Sequence, residues 1–531
     1  MTILSNRRLG LRFFASVCAL ALLPATAYAQ EKEAEPPVDA PSAEDPSLLT
    51  VSPEEANRSA TEASTAVLEA QISALQAQLD TLKSQIAKAT PSWKGAPQFE
   101  DKAEGWSFKL RGRLMLDAAY AGDPPNYSAN RNLGFNARVR RARIGVEGSL
   151  PGGFGYKAEV DYANSAVGFG DVVLSYAPAD KPFSLTIGNH ETLNGMEQQS
   201  SSRWSSFIER AQINDAFSNS RRLGLSAGLK SKDGLLRFDT GLFAAHTIDA
   251  SMDNDGWIGA ARLTYAPYIG NGFVHLGLNY QHRDFQSNNG GVASMSSGAP
   301  STNQFARYRA RPFLQTTDVR FVDSANIAAK GDDIFGVEAY GVFKSLHIGG
   351  EAQMVKVRSY RPGDIATGLD AFAGGSGVTP AANPSFWGGH IEMGYFLTGE
   401  TRGYKNGLWD RTKVLNPLSK GGMGALQINA RVDYLDLETA KLINAPTTSF
   451  ATGAQTLASA TARQARGGKQ TGYLLGLTWI PTDYVRFLVN YIHSEVRGGP
   501  FAAAADPTST EPVNSRGYAT DAFAVRAQFD F

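Results

Sequence analysis

The chain has 531 residues, of which 54 are glycine and 19% are charged, and its 51 Lys and Arg balance its 51 Asp and Glu. This length is too great for one ordinary domain. After the first thirty residues, no uncharged apolar run reaches the roughly 18 to 20 residues that a transmembrane helix needs, which excludes a helical membrane transporter but not a β-barrel.

The first 29 residues have the pattern of a secretory signal peptide. A basic start is followed by an apolar stretch at 13–23 and by the small-x-small cleavage site Ala27-Tyr28-Ala29. We therefore expect an exported mature chain that begins at residue 30. The single cysteine, Cys18, lies within the apolar stretch, so we expect no disulfide and no cysteine metal ligand in the mature protein.

An acidic linker and a helix are predicted next. Residues 30–51 are rich in Glu, Pro and Ala, a composition typical of a disordered linker. Ser52 is a candidate N-cap with proline directly after it, and the predicted helix spans 52–90. Apolar residues then recur at alternating spacings of four and three, at Leu68, Ile72, Leu75, Leu79, Leu82 and Ile86. This heptad pattern favours a short coiled coil joining several copies, and the alternative is one amphipathic helix packed on its own domain.

After a second linker at 91–105, the hydrophobic period changes to two and stays so to the end of the chain. Apolar residues such as Leu114 and Leu116 alternate with charged ones such as Arg113 and Asp117. Sixteen such segments are predicted, at 106–120, 135–149, 154–163, 167–177, 183–189, 222–230, 235–246, 257–266, 273–283, 333–343, 346–357, 386–397, 424–437, 470–480, 484–496 and 519–531.

The connections alternate between short turns and longer loops, which is the pattern of a transmembrane barrel that begins on the periplasmic side. The sequence therefore predicts an all-β fold over 106–531: an antiparallel transmembrane β-barrel of about sixteen strands, preceded by the short coiled-coil helix. Loops at 189–221 and 284–332, and a segment on the short-turn side at 398–423, are too long for plain connectors. We expect them to fold into the lumen and narrow it.

Several runs in this region resemble one known family. They are "RRARIGVEG" (140–148), "SSRW" and "FIERA" (201–211), "YFLTGETRGYK" (395–405), "GALQINARVDYLDL" (424–437), "LGLTWIP" (475–481) and the terminal "VRAQFDF". In this order they resemble the phosphate-selective porin O and P family of Gram-negative outer membranes. The resemblance implies a homotrimeric sixteen-strand porin whose eyelet carries an arginine ladder leading to a central phosphate site.

The resemblance assigns an anion pathway residue by residue. Guanidinium groups bind phosphate oxygens bidentately and stay charged at every relevant pH, so a row of them passes an anion between weak sites. The assigned residues are Arg140 and Arg141 on the second strand, Arg203 at the position of the family's central lysine, Arg307, Arg309 and Arg311 on the long loop, and Arg402 and Lys405 on the inward segment.

The sequence also departs from the family at positions that modify selectivity. Asn189 and Glu191 stand where the family has an arginine and a tyrosine, and Arg143 replaces an aromatic residue. A carboxylate at Glu191 would repel phosphate unless an arginine neutralised it. We therefore expect a passive, anion-selective channel for phosphate or related polyphosphate anions, and a general non-selective porin for small solutes stays open as the alternative.

Other classes of function find less support. An envelope-tethering barrel whose stalk contacts peptidoglycan is possible, but sixteen strands exceed what an anchor needs. Residues 224–228 satisfy G-x-S-x-G within a strand, without the strand-turn-helix elbow of a hydrolase. We expect no enzyme activity, no catalytic residues, no metal, no cofactor and no nucleic-acid partner. The expected partners are outer-membrane lipid and phosphate or other small anions.

Overall fold

The computed structural model describes residues 53–89, 91–93, 95–126, 132–163, 167–248, 256–285, 305–359, 377–380, 382–443 and 467–531. The predicted signal peptide and the acidic linker at 30–51 lie outside the described residues. The chain divides into two compact units, Met1–Leu79 and Asp80–Phe531.

One long helix, α1, spans Pro53–Ala89. Its predicted apolar stripe is open to solvent in the single chain: Leu68, Ile72 and Leu75 are between 52% and 63% exposed. The coiled coil remains a prediction. Across the described ranges, none of the helices is long and apolar enough to cross a membrane.

Sixteen of the described strands form one closed antiparallel barrel. In chain order they are β1 (Trp106–Ala121), β2 (Gly134–Leu150), β3 (Phe154–Asp161), β4 (Gly168–Tyr176), β5 (Phe183–His190), β6 (Arg222–Lys230), β7 (Leu236–Ala244), β8 (Gly256–Tyr265), β9 (Gly272–Phe285), β10 (Asn326–Phe343), β11 (Leu346–Ser359), β12 (Ser385–Phe396), β13 (Ala425–Asp436), β14 (Lys469–Thr482), β15 (Val485–Arg497) and β16 (Gly517–Asp530). Each pairs with the next, and β16 pairs with β1 from Ala522↔Ala121 to Asp530↔Arg113, which closes the sheet.

The barrel is apolar outside and polar inside. On β1, Leu114 and Leu116 face outward and are 40% and 45% exposed, whereas Arg113 and Asp117 face the lumen and are buried. Closure pairs the backbone groups that an open sheet edge would leave unpaired, as a membrane requires. The predicted sixteen-strand antiparallel barrel is confirmed. The largest boundary difference is in β10, which begins at Asn326. It pairs with β11 as far as Ala329, beyond a bulge, and its first residues pair with the short strands Phe305–Ala306 and Gly377–Pro380.

Three segments fold into the lumen, and each receives a fixed name here. The inner loop is 191–221, with helices Met196–Gln199 and Gln212–Ala216 and a 3₁₀ turn at Ser202–Trp204. The outer loop is 305–325, where Arg309–Ala310 pairs with Val322–Asp323. The inward turn is 397–424, where Tyr404–Lys405 pairs with Leu408–Trp409.

Shorter elements complete the described structure. They are the strands Ser92–Trp93, Pro97–Asp101, Tyr268–Ile269, Phe305–Ala306, Gly377–Pro380 and Leu442–Ile443, the helix Ala502–Ala505, and 3₁₀ turns at Pro151–Gly153, Leu418–Lys420 and Val513–Ser515.

The inner and outer loops pack on each other through a hydrophobic core inside the barrel. Phe207 and Phe217 of the inner loop and Tyr308 and Phe321 of the outer loop are at most 2% exposed and share this core with Phe386 of β12. Burial of aromatic side chains of this size contributes strongly to stability. This core therefore stabilises both loops in their positions inside the lumen. The wide channel of a sixteen-strand barrel is thereby narrowed.

Candidate functional site

A β-bulge on β2 turns two consecutive arginines toward the lumen. Met115 pairs with Arg141 and Leu116 pairs with Val139, so Arg140 is the extra residue in the ladder. In a regular strand, neighbouring side chains point to opposite faces, so one of the two arginines would face the lipid. The bulge removes this constraint. Both guanidinium groups therefore lie on the lumen side of the barrel.

Arg140 meets a carboxylate of the inner loop. Its Nε and Nη2 donate to Oε1 and Oε2 of Glu209 at 2.7 and 3.0 Å. Arg526 of β16 donates to the same carboxylate through Nη2 at 2.8 Å and holds Asp117 through Nε and Nη2 at 2.6 and 2.7 Å. Burial alone would raise the pKa of Glu209, but Arg140 and Arg526 outweigh burial and lower it to about 2. Glu209 is therefore ionised at neutral pH.

This ion cluster separates two cavities of the lumen, which together we call the constriction. The cavity on the outer-loop side has a volume of about 140 Å³, and the cavity on the other side about 10 Å³. Arg140, Glu209 and Arg210 line both of them. Arg311 and Asp215 line the larger cavity, whereas Arg141 and Arg526 line the smaller one, so five arginines face two carboxylates. The described lining of the constriction is therefore net positive, and Asp117 and Asp161, which pair with Arg526 and Arg141 from outside the lining, reduce the excess.

A second group of arginines lies next to Arg203. Arg113 of β1 donates to the hydroxyls of Ser202 and Ser201 at 2.9 and 3.3 Å, and Arg486 of β15 donates to the backbone carbonyl of Arg203. Burial lowers the pKa of Arg203 to about 10, and neighbouring arginines add to the decrease, so the side chain stays protonated at neutral pH. Nε of Arg113 and of Arg486 is buried without a hydrogen-bond partner among the described residues. These N–H groups are hydrogen-bond donors that no described residue uses.

One carboxylate at the end of β16 offsets part of the positive charge of this second group. Asp530 is fully buried, lies 3.8 Å from Nη1 of Arg203 and forms an ion pair with Arg411 of the inward turn. The Arg411 guanidinium also lies over the rings of Trp204 and Tyr484, 4.5 and 5.0 Å from their centroids. The inward turn thus reaches the same part of the lumen as the inner loop.

Two of the departures from the family, Glu191 and Arg143, have charged partners. Glu191 forms an ion pair with Arg221, with its Oε1 2.8 Å from Nη1. Burial alone would lower the pKa of Arg221, but Glu191 and Asp171 raise it instead. Arg143 forms ion pairs with Glu159 at 2.6 Å and with Asp161 at 2.7 Å. The carboxylate that would repel an anion is therefore neutralised, as the sequence argument required.

The structure brings some of the predicted site residues together and separates others. Arg140, Arg141 and Arg311 line the constriction, and Arg203 lies in the second group. Arg307 is paired with Asp323 at 2.9 and 2.6 Å, whereas Arg402 is paired with Glu392 at 2.8 Å and covered by Trp409. Arg309 and Lys405 are exposed and line neither cavity.

Sequence reasoning missed several charged residues of this site, and Arg411, Asp215 and Asp530 are among them. Arg113, Arg486 and Arg526 follow the inward alternation of their strands, but their convergence depends on strand register and barrel closure. Arg210 and Glu209 lie in "FIERA", a run that carried the resemblance without being weighed for charge. Only the three-dimensional position of the inner loop reveals the role of Glu209.

Among the described residues, one cluster has the spacing of a metal site, but a guanidinium already lies between its carboxylates. Glu197, His390 and Glu392 have ligand atoms within 4.8 Å of one another, but Nη2 of Arg431 already bridges the two carboxylates at 2.5 and 2.6 Å. The guanidinium supplies the charge that a cation would bring.

Ser226 of the G-x-S-x-G run does contact a histidine, which the sequence did not anticipate. Nε2 of His190 lies 2.8 Å from its hydroxyl, while Nδ1 contacts the carbonyl of Gly188 instead of a carboxylate. The serine lies within β6 rather than on an elbow.

Comparisons with known proteins identify the family of the chain. The profile described as "Phosphate-selective porin O and P" matches residues 108–531. An uncharacterized protein of Caulobacter vibrioides is 32% identical over 427 residues, covering 76% of this chain and 74% of that protein. Similar solved structures include the outer-membrane channel DcaP of Acinetobacter baumannii (13% identity, TM-score 0.43, 82% of this chain and 99% of that one) and an anion-selective porin from Comamonas acidovorans (11% identity, TM-score 0.41, 80% and 100%). The chain belongs to the phosphate-selective porin O and P family and is a porin of the Gram-negative outer membrane.

Proposed function

We propose that this porin is a passive, anion-selective channel for phosphate or related small oxyanions. The observation that carries the proposal is the convergence of arginines at the constriction. Arg526 comes from β16, and Arg140 and Arg141 come from β2, the two strands that flank β1. Arg210 and Arg311 come from the inner and outer loops. Five guanidinium groups from four different elements face one small space.

The chemistry of these groups suits an anion that binds weakly and passes on, rather than one that stays bound. Each guanidinium can bind two oxygens of a phosphate in one plane, and it stays charged across the physiological pH range. Because nearly every arginine already has a carboxylate partner, each site binds a passing anion weakly. Conduction needs binding that is strong enough to admit an ion and weak enough to release it. Transport then follows the solute gradient without covalent chemistry.

A general porin for small solutes is the second candidate, and one observation favours it. The carboxylates Glu209, Asp215, Glu191 and Asp530 each neutralise an arginine inside the lumen. If this compensation is complete for a permeating ion, charge selection is weak and size alone decides what passes.

Assembly is part of the proposal. The open apolar stripe of α1 and the heptad spacing support association of several copies through the stalk, and the number three is what the family resemblance implies. A contact of the stalk with peptidoglycan is a further role for it. A barrel that serves only to tether the envelope would not need the ordered arginines of the constriction.

Single-channel current in a planar bilayer tests the transport proposal. We expect added phosphate to reduce chloride current at millimolar or lower concentration, because both anions use the same arginines. Chloride current that is indifferent to phosphate and to pyrophosphate would favour the general porin.

A further inference from the structure

The carboxylate of Glu209 occupies the place that a permeating oxyanion would take. Two hydrogen bonds from Arg140 and one from Arg526, at 2.7 to 3.0 Å, surround its two oxygens. This is the planar, bidentate arrangement in which guanidinium groups bind phosphate. Its side chain is 11% exposed, and Glu209 lines both cavities of the constriction. An oxyanion position at the constriction is thus filled by the protein's own carboxylate.

We infer that Glu209 is a tethered counter-anion that competes with permeating oxyanions for Arg140 and Arg526 and so sets the anion affinity of the constriction. This inference rests on the proposed function. One acidic residue would then control how tightly the channel binds its anion. The number of arginines alone does not predict this affinity.

The inner loop does not depend on this carboxylate for its position. The backbone N–H of Ile208 donates to Oδ1 of Asn490 at 2.8 Å, and Nη1 of Arg526 donates to the carbonyl of Ile208 at 2.5 Å. Nη1 of Arg431 donates to the backbone carbonyl of Glu209 itself at 3.3 Å. These backbone contacts anchor the loop on both sides of the carboxylate, so the side chain can move off Arg140 while the loop stays in place.

The charges around Glu209 explain why competition has a large effect. Arg140, Arg141 and Arg526 face it from the barrel wall, and Arg210 lines the same cavities from the inner loop. A fixed anion attached to the loop is present at a high effective concentration, so a free anion must displace it to gain full contact. Displacement lowers affinity and speeds release, which is the balance that conduction requires.

Glu209→Gln is the direct test because glutamine keeps the size of the side chain and removes its charge. The half-blocking phosphate concentration for chloride current is measured for wild type and variant in planar bilayers. We expect it to fall at least about tenfold in the variant, a change of about 1.4 kcal/mol. Asp239→Asn is the matched control: Asp239 faces the lumen on β7 beside Arg237, away from the constriction. The control should stay within about twofold of wild type.

Three outcomes would overturn the inference. They are an unchanged or higher half-blocking concentration in Glu209→Gln, an equal decrease in Asp239→Asn, and, if Glu209→Gln does not fold, an unchanged value in Glu209→Asp. The aspartate keeps the charge with a shorter reach, so we expect its half-blocking concentration to be at least about threefold below wild type. Failure of the proposed function is seen separately, as wild-type current that is indifferent to phosphate. A variant that gains phosphate block against that background would still support competition by Glu209.

Discussion

Replacing Arg140 with glutamine should weaken anion selection at the constriction. The guanidinium lies 2.7 and 3.0 Å from the Glu209 oxygens, so it is within about 4 Å of any anion that takes their place. At that separation one unit charge contributes about 1 kcal/mol in water-like surroundings, or about fivefold in a permeability ratio. A doubly charged hydrogen phosphate feels about twice this energy. Arg140→Gln should therefore lower chloride-over-potassium permeability about fivefold and raise the half-blocking phosphate concentration by more than that.

The assay is the zero-current potential of single channels under a KCl gradient, followed by a phosphate titration. Arg237→Gln is the matched control, because Arg237 also carries one charge on the lumen side but lies on β7, away from the constriction. Thermal unfolding of each purified variant reports whether the barrel is intact. A folded Arg140→Gln protein with wild-type selectivity would refute the assignment of anion selection to this site.

Three further predictions concern the loops, the pH dependence and the stalk. Gly195→Ala would place a Cβ against the Glu351 carboxylate, so we expect the inner loop to be displaced. The single-channel conductance should then rise, and the free energy of unfolding should fall by about 1–3 kcal/mol. Unchanged conductance would contradict this prediction. Burial would raise the pKa of Glu209, but Arg140 and its neighbours lower it to about 2 from 4.5, so its stabilising contribution is present above pH 4.5 and is lost as pH falls toward 2. The difference in unfolding free energy between wild type and Glu209→Gln, measured with denaturant, should therefore be constant from pH 5 to 8 and smaller in acid. A difference that grows in acid would contradict this prediction. Leu75→Asp on the open stripe of α1 should reduce the trimer fraction in chemical cross-linking while barrel unfolding is unchanged, and an undiminished trimer would argue against association through the stalk.

The strands were predictable because their signal is local. Outward Leu114 and Leu116 and inward Arg113 and Asp117 follow the period of two that a half-lipid, half-lumen strand imposes. The same reasoning could not find the bulge at Arg140, since a bulge is defined by the partner strand as much as by its own residues. The inward placement of two adjacent arginines came from the resemblance, and its physical cause came from the structure.

The site depends on contacts between residues far apart in the chain. Arg526 and Glu209 are 317 residues apart and meet only because β16 closes on β1 and the inner loop crosses the lumen. No spacing rule connects such positions. Arg402 was predicted to line the anion pathway, but it is buried against Glu392 and Trp409. This burial follows from how the inward turn packs, which the sequence pattern does not show.

The zero-current potential of the wild-type channel under a KCl gradient tests the central claim most directly. A net positive constriction predicts a potential displaced toward the chloride equilibrium value, and a further loss of chloride current when phosphate is added. A potential near zero or displaced toward the potassium value would contradict the claim, because the arginines would then be fully compensated by their carboxylate partners.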